Sequence, residues 1–247
     1  MEGSVRLAKK NKIGRILFSH PKGNSLPTSL LHELKHQFET ADRDPDIRVI
    51  VLESEGNAFC AGASLTELKQ IKNLDQSTAF FMGFAHLLNT LRKMSKFVLA
   101  RVHGKIVGGG VGLVSACDYA FATEASLIKL SELSIGLGPY VIEPALSRKI
   151  GTTAFAQLSL DAVSWKKAEW GFEKGLYAEY FKDETHMDEV LNQKAALLAS
   201  YAPAATKELR KLHWKDTDHW GELLPKNAQI TAQLALSDFT QKRIKSI

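Results

Sequence analysis

An α/β fold, with helices crossing over between the strands of a parallel sheet, is what this chain of 247 residues predicts. Three observations carry the expectation. Short continuous apolar runs recur, amphipathic stretches at helical spacing stand between them, and a glycine-rich turn joins one such run to a segment of small residues.

The runs RILFS (Arg15 to Ser19) and RVIVLES (Arg48 to Ser54) are short, branched and apolar, and the second is too continuous for a strand with one wet face. Both are expected as buried strands. Between them, PTSLLHELKHQFETA places Leu30, Leu31, Leu34, Phe38 and Ala41 on one helical stripe, opens with Pro27 and ends before Pro45. The unit repeats: Phe80, Phe81, Phe84, Leu87, Leu88 and Leu91 form a second stripe, followed by the strand-like FVLARV and then by KIVGGGVGLVSACDYAFA. Beyond Thr185 the pattern is helical throughout, with MDEVLNQKAALLAS and PAATKELRKLHWK separated by a break at Pro203.

An apolar content of 45% in a chain of this length supports a sizeable core and one globular domain. Cys60 and Cys117 sit among small or apolar neighbours and make neither a disulfide framework nor, with the eight scattered histidines, a metal-ligand cluster. A reducing compartment follows. The first twenty residues lack the apolar stretch of a signal peptide, and no segment nears the roughly 18 apolar residues that span a bilayer. The expectation is a cytoplasmic protein with no membrane partner. The net charge of +5 is spread along the chain, which speaks against nucleic acid and leaves a small phosphorylated ligand as the simpler partner.

Gly108, Gly109 and Gly110 follow a strand and open a helix, so they expose unpaired backbone N–H groups suited to an anion, or else they make a tight turn for close backbone packing. The residues alone leave both open. Gly110, Gly112 and Ser115 fail the G-x-G-x-x-G spacing, and no phosphate-binding G-x-x-x-x-G-K-[ST] is present. A second glycine-interrupted loop, GNAFCAGASL (Gly56 to Leu65), also follows a buried strand. If the N–H groups of Ala63 and Gly109 converge, they form a donor pair for a carbonyl oxygen that becomes negative during reaction. Ser64 is expected to cap the following helix, with Glu67 at capping-box spacing. His103, with no acidic partner in view, is read as structural.

The blocks NAFCAGASL, ARVHGKIVGGGVGLVSACDYAFATEAS and SELSIGLGP, in this order, resemble the signatures of the crotonase superfamily, the enoyl-CoA hydratase/isomerase family. The closing FTQKRIK is similar to that family's basic terminal helix, so the likeness spans nearly the whole chain. It implies a spiral of β-β-α units over residues 1–185 and a C-terminal helical region, 186–247, that forms a trimer or a dimer of trimers. It also implies coenzyme A thioester substrates, coenzyme A being part of the substrate, with no separate cofactor and no metal. Carried over by position, Ala63 and Gly109 are the oxyanion donors, and Ala61, Ser64, Leu65 and Gly112 lie along the thioester site. Phe239 and Lys242 would approach a neighbouring subunit's site, the lysine near the coenzyme's phosphates. In WKKAEWGFEKGLYAEYF the resemblance implies a helix leading into a buried strand, with Trp165 and Trp170 in the core.

Family hydratases hold water between two glutamates, and the chain departs from that pattern: one position is Glu132, the other is Gly112. One carboxylate suffices to move a double bond from position 3 to position 2, by taking a proton from C2 and returning it at C4. Isomerase-like chemistry and atypical hydration both fit. Glu143 and Tyr140 are candidates for an auxiliary group, although a surface or helix-start residue is the favoured reading of Glu143. A non-catalytic acyl-CoA-binding homologue, and a decarboxylase or dehydratase acting on a branched acyl thioester, are the rival readings.

Overall fold

Two sheets run through residues 3–246, the part of the chain that the computed structural model describes. In chain order, β1 (Ser4–Lys10) and β2 (Ile13–Ser19) form a hairpin, α1 (Thr28–Arg43) crosses over, and β3 (Val49–Ser54) leads to β4 (Ala58–Cys60). After α2 (Leu65–Leu68) and α3 (Leu74–Lys93) come β5 (Phe97–Val102), β6 (Lys105–Val107) and α4 (Gly109–Ser115). The strands β7 (Tyr119–Thr123) and β8 (Leu127–Lys129) precede a 3-10 turn, Glu132–Ile135, and then α5 (Glu143–Leu160). Two residues of β9 (Lys166–Lys167), α6 (Ala168–Glu173) and β10 (Glu179–Phe181) follow. The chain continues through α7 (Glu184–Ser200), α8 (Pro203–His213), α9 (Trp220–Ala235) and α10 (Asp238–Lys245).

The larger sheet has the order β1-β2-β3-β5-β7-β10 and is parallel from β2 onward; the smaller has the order β4-β6-β8-β9. The consecutive pairs β3/β4, β5/β6 and β7/β8 each give one strand to either sheet. The chain therefore advances as a spiral, the β-β-α architecture that the sequence resemblance implied.

Burial explains the continuous apolar strands. Ile50 and Leu52 of β3 face the main core, while Val49 and Val51 face Met187, Leu191 and Ala195 of α7 on the other side of the sheet. A strand covered on both faces has no position for a polar residue. The α1 stripe Leu30, Leu31, Leu34, Phe38 and Ala41 is buried, as is the whole expected stripe of α3, which packs against α1 and α9. No helix among the described residues is long and apolar enough to cross a membrane.

Helix starts follow from local chemistry. Asn73 and Asp183 cap α3 and α7 by accepting the N–H of Gln76 and His186, each at 2.9 Å. Ser64 Oγ accepts the N–H of Glu67 (3.3 Å), as expected. The reciprocal half of that capping box is redirected: the Glu67 carboxylate accepts from Thr28 N (2.7 Å) and Thr28 Oγ1 (2.5 Å). It thereby satisfies the start of α1, where Pro27 offers no side-chain cap.

One expectation is corrected here. Trp165 is not in the core; it stands 36% exposed beside β9. Trp170 is partly buried against the core, and β10, expected as buried, is half-buried along its length.

Candidate active site

The loop after β4 and the turn after β6 meet. Gly62 adopts φ +83, and a side-chain carbon built there would lie 2.7 Å from the Val107 carbonyl and 3.4 Å from Gly109 N. Ala63 forms an isolated parallel bridge with Leu26, in which Leu26 N donates to Gly62 O (2.7 Å) and Ser64 N to Leu26 O (3.2 Å). Those bonds use the groups on either side of Ala63 and turn its own N–H to the opposite edge. Gly109 begins α4 and is among its unpaired donors. Neither N–H has a protein acceptor among the described residues, and Ala63 and Gly109 line one cavity of about 350 Å³.

Each glycine of the run admits a different neighbour. A side-chain carbon on Gly108, which has φ +50, would lie 2.5 Å from Glu132 Oε1; one on Gly109 would strike the Phe84 ring; one on Gly110 would lie 2.7 Å from Cys60 Cβ. Small size here serves the approach of side chains from three directions.

Glu132 enters on the 3-10 turn that follows β8. Gly136, left-handed at φ +83, closes the turn, and Leu137 N donates to Glu132 O (2.9 Å). α10 braces it: Thr240 Oγ1 donates to Gly136 O (3.1 Å) and Arg243 Nε to Ser134 O (3.4 Å). The backbone of the turn is partly exposed, yet the carboxyl is enclosed, with Oε2 buried and without a hydrogen-bond partner. Burial pushes its pKa up to about 7, only partly offset by the nearness of its own backbone N–H. It is the one carboxylate on the cavity wall among the described residues. The hydroxyls of Ser134 and Thr231, also on that wall, donate to Ser131 O (2.7 Å) and Asn227 O (2.9 Å).

Of the expected site residues, Ala61, Ala63, Leu65, Gly109 and Glu132 are brought together on the cavity. Ser64 is buried and engaged in capping. Gly112 does not line the site: Ile142 fills the space in front of it, its Cβ 2.5 Å from where a side-chain carbon would stand. Tyr140 is exposed with its ring against Gly138, and Glu143 opens α5, both outside the cavity lining. Phe239, 61% exposed, rests on Gly136, and α10 packs on this chain's own Glu132 turn. Lys242 is exposed on the same helix, off the cavity. His103 joins the end of β5 to the Gly56 carbonyl (2.7 Å), consistent with a structural role.

Sequence reading overlooked Phe84, Ile142, Lys129 and Thr231, which complete the wall. Phe84 belonged to the α3 core stripe, and no periodicity distinguishes a core position from a cavity wall. For Lys129, a charged residue at the end of an apolar strand was an available signal.

The family model described as Enoyl-CoA hydratase/isomerase matches residues 8–246. The chain belongs to this family. An enoyl-CoA hydratase of Alternaria alternata is 30% identical, covering 83% of this chain and 69% of that protein. The mitochondrial Delta(3,5)-Delta(2,4)-dienoyl-CoA isomerase of Mus musculus is 27% identical, covering 82% and 65%. The crystal structure of an enoyl-CoA hydratase from Bacillus halodurans superposes with a TM-score of 0.91 over 98% of this chain and 99% of that one; at 19% identity it speaks for the crotonase fold alone.

Proposed function

We propose that the chain is an enoyl-CoA isomerase that moves a double bond from position 3 to position 2 of an acyl-CoA thioester through a single carboxylate, Glu132. The observation that carries the reading is Ile142 in front of Gly112, which leaves Glu132 as the cavity's one carboxylate among the described residues. Hydration divides its work between two positioned groups, activating water and protonating carbon. Isomerisation needs one group that takes a proton and returns it.

The step balances within the substrate. Glu132, ionised, removes a proton from C2; the electron pair passes through the thioester carbonyl, whose oxygen becomes negative; the N–H groups of Ala63 and Gly109 donate to it. The neutral Glu132 then returns the proton at C4, leaving the double bond between C2 and C3. A pKa near 7 suits both halves, since the group must ionise to start and hold the proton to finish. Each oxyanion donor of this kind contributes about 10² to 10³ in rate. The apolar lining, with Leu65, Phe81 and Phe84, excludes water from the intermediate. The family's coenzyme A thioesters would bind with their nucleotide remote from this chemistry and position the acyl carbons.

Purified chain supplied separately with a 3-enoyl-CoA and a 2-enoyl-CoA tests the reading. The expected result is isomerisation of the first, with hydration of the second slower by at least an order of magnitude. Efficient hydration, or undiminished turnover by Glu132→Gln, overturns it. The trimer implied by the family likeness belongs to the same proposal, and light scattering at micromolar concentration reads it.

A further inference from the structure

We infer that Lys129 and Trp165 form a recognition site for a carboxylate carried by the substrate's acyl chain, on the wall of the cavity that holds Glu132. This rests on the reading of that cavity as an acyl-thioester site. β8 ends at Lys129, whose ammonium stands over the Trp165 ring, 4.3 Å from the centroid; Lys105, at the start of the neighbouring β6, stands over the same ring at 5.2 Å. Lys129 and Trp165 both line the cavity.

Neither lysine is ion-paired with a carboxylate among the described residues. Two ammonium groups gathered on one indole repel each other, and the ring's quadrupole offsets only part of that repulsion. An anion placed beside them completes the arrangement. Glu132 is not that anion: its carboxyl titrates above the ordinary range, whereas a neighbouring ammonium would draw it below.

Position favours the acyl group as the source of the charge. Lys129 and Glu132 are three residues apart, so their Cα atoms are separated by at most about 11 Å. Both side chains line the one cavity, so the ammonium stands on a wall of the proposed acyl site, whereas the phosphates of coenzyme A are separated from the thioester by the whole pantetheine arm. Trp165 adds a flat apolar face along which methylene groups can lie while the terminal carboxylate meets Lys129.

Calorimetry with unreactive saturated thioesters tests the assignment without relying on turnover. Two ligands of equal chain length are compared, a plain acyl-CoA and its ω-carboxy counterpart, with free coenzyme A as a third. Wild-type chain should bind the ω-carboxy ligand about tenfold or more tightly than the plain one, a preference that shrinks with added salt. Lys129→Met should abolish the preference and Lys129→Arg should keep it. Equal affinity in the wild type overturns the inference and leaves the proposed function standing. Lys129→Met weakening coenzyme A and both thioesters alike also overturns it, by assigning the lysine to a phosphate. A chain that binds none of the three overturns the proposed function and this inference together.

Discussion

Gly108 and Gly112 stand one helical turn apart, and each is a glycine because another side chain occupies the place its own would take. At Gly108 the occupant is the Glu132 carboxylate; at Gly112 it is the sec-butyl group of Ile142. The first contact brings a titratable group to the cavity, and the second excludes one. A glycine in sequence thus announces close approach without saying what approaches, and the chemistry of the site is decided by the partner.

Glu132→Gln should break the polar side of this comparison most severely, lowering kcat by about 10² to 10⁴ while thioester binding persists, as steady-state kinetics with calorimetry would show. The same variant has a second signature. Glu132 holds its proton more tightly folded than unfolded, so its contribution to stability is complete below pH 4.5 and is lost as the pH rises through about 7. At pH 8 the glutamine variant should therefore be more stable than the wild type, by up to about 3 kcal/mol, with the gap closing in acid.

Converting the apolar side into the polar one is the next test. Gly112→Glu combined with Ile142→Gly should raise the ratio of hydration to isomerisation by about tenfold or more, measured by product analysis from the two enoyl-CoA isomers. Gly108→Ala should lower both activity and stability, since alanine at φ +50 is strained by about 1 to 3 kcal/mol and its methyl would displace the Glu132 carboxyl. In the wild type, kcat/KM for isomerisation should rise with pH and level off above about 7, because the base must be ionised to begin. The smallest effect belongs to Gly110's neighbour: Cys60 is buried and its thiol pushed up to about 12, so alkylation of the native chain at pH 8 should leave it unmodified by mass spectrometry.

The legible parts of the fold were those with enough residues to show a period. The α1 and α3 stripes, β2, β3 and β5 carry their burial in their apolar positions. The smaller sheet escaped because β4, β6 and β8 have three residues each, too few for alternation to register. β1 escaped because it is an edge strand with a mostly exposed, polar sequence. In the site, the paired loops were visible as glycine-interrupted turns after buried strands and Glu132 through the family resemblance, but Ile142 was not, being ten residues beyond Glu132 and joined to Gly112 only in space. Trp165 was misplaced because an aromatic residue near a helix reads as core whether it faces protein or a cavity mouth; the lysines over its ring are what distinguish it.

The packing of Ile142 on Gly112 also constrains how lineages bearing it can diverge. A glutamate acquired first at position 112 collides with the isoleucine, while a small residue acquired first at 142 opens a void in a well-filled wall, a loss of about 2 to 5 kcal/mol. Either order of mutation passes through an impaired ancestor. Descendants of such a chain reach a second cavity carboxylate at position 112 only through two coupled replacements.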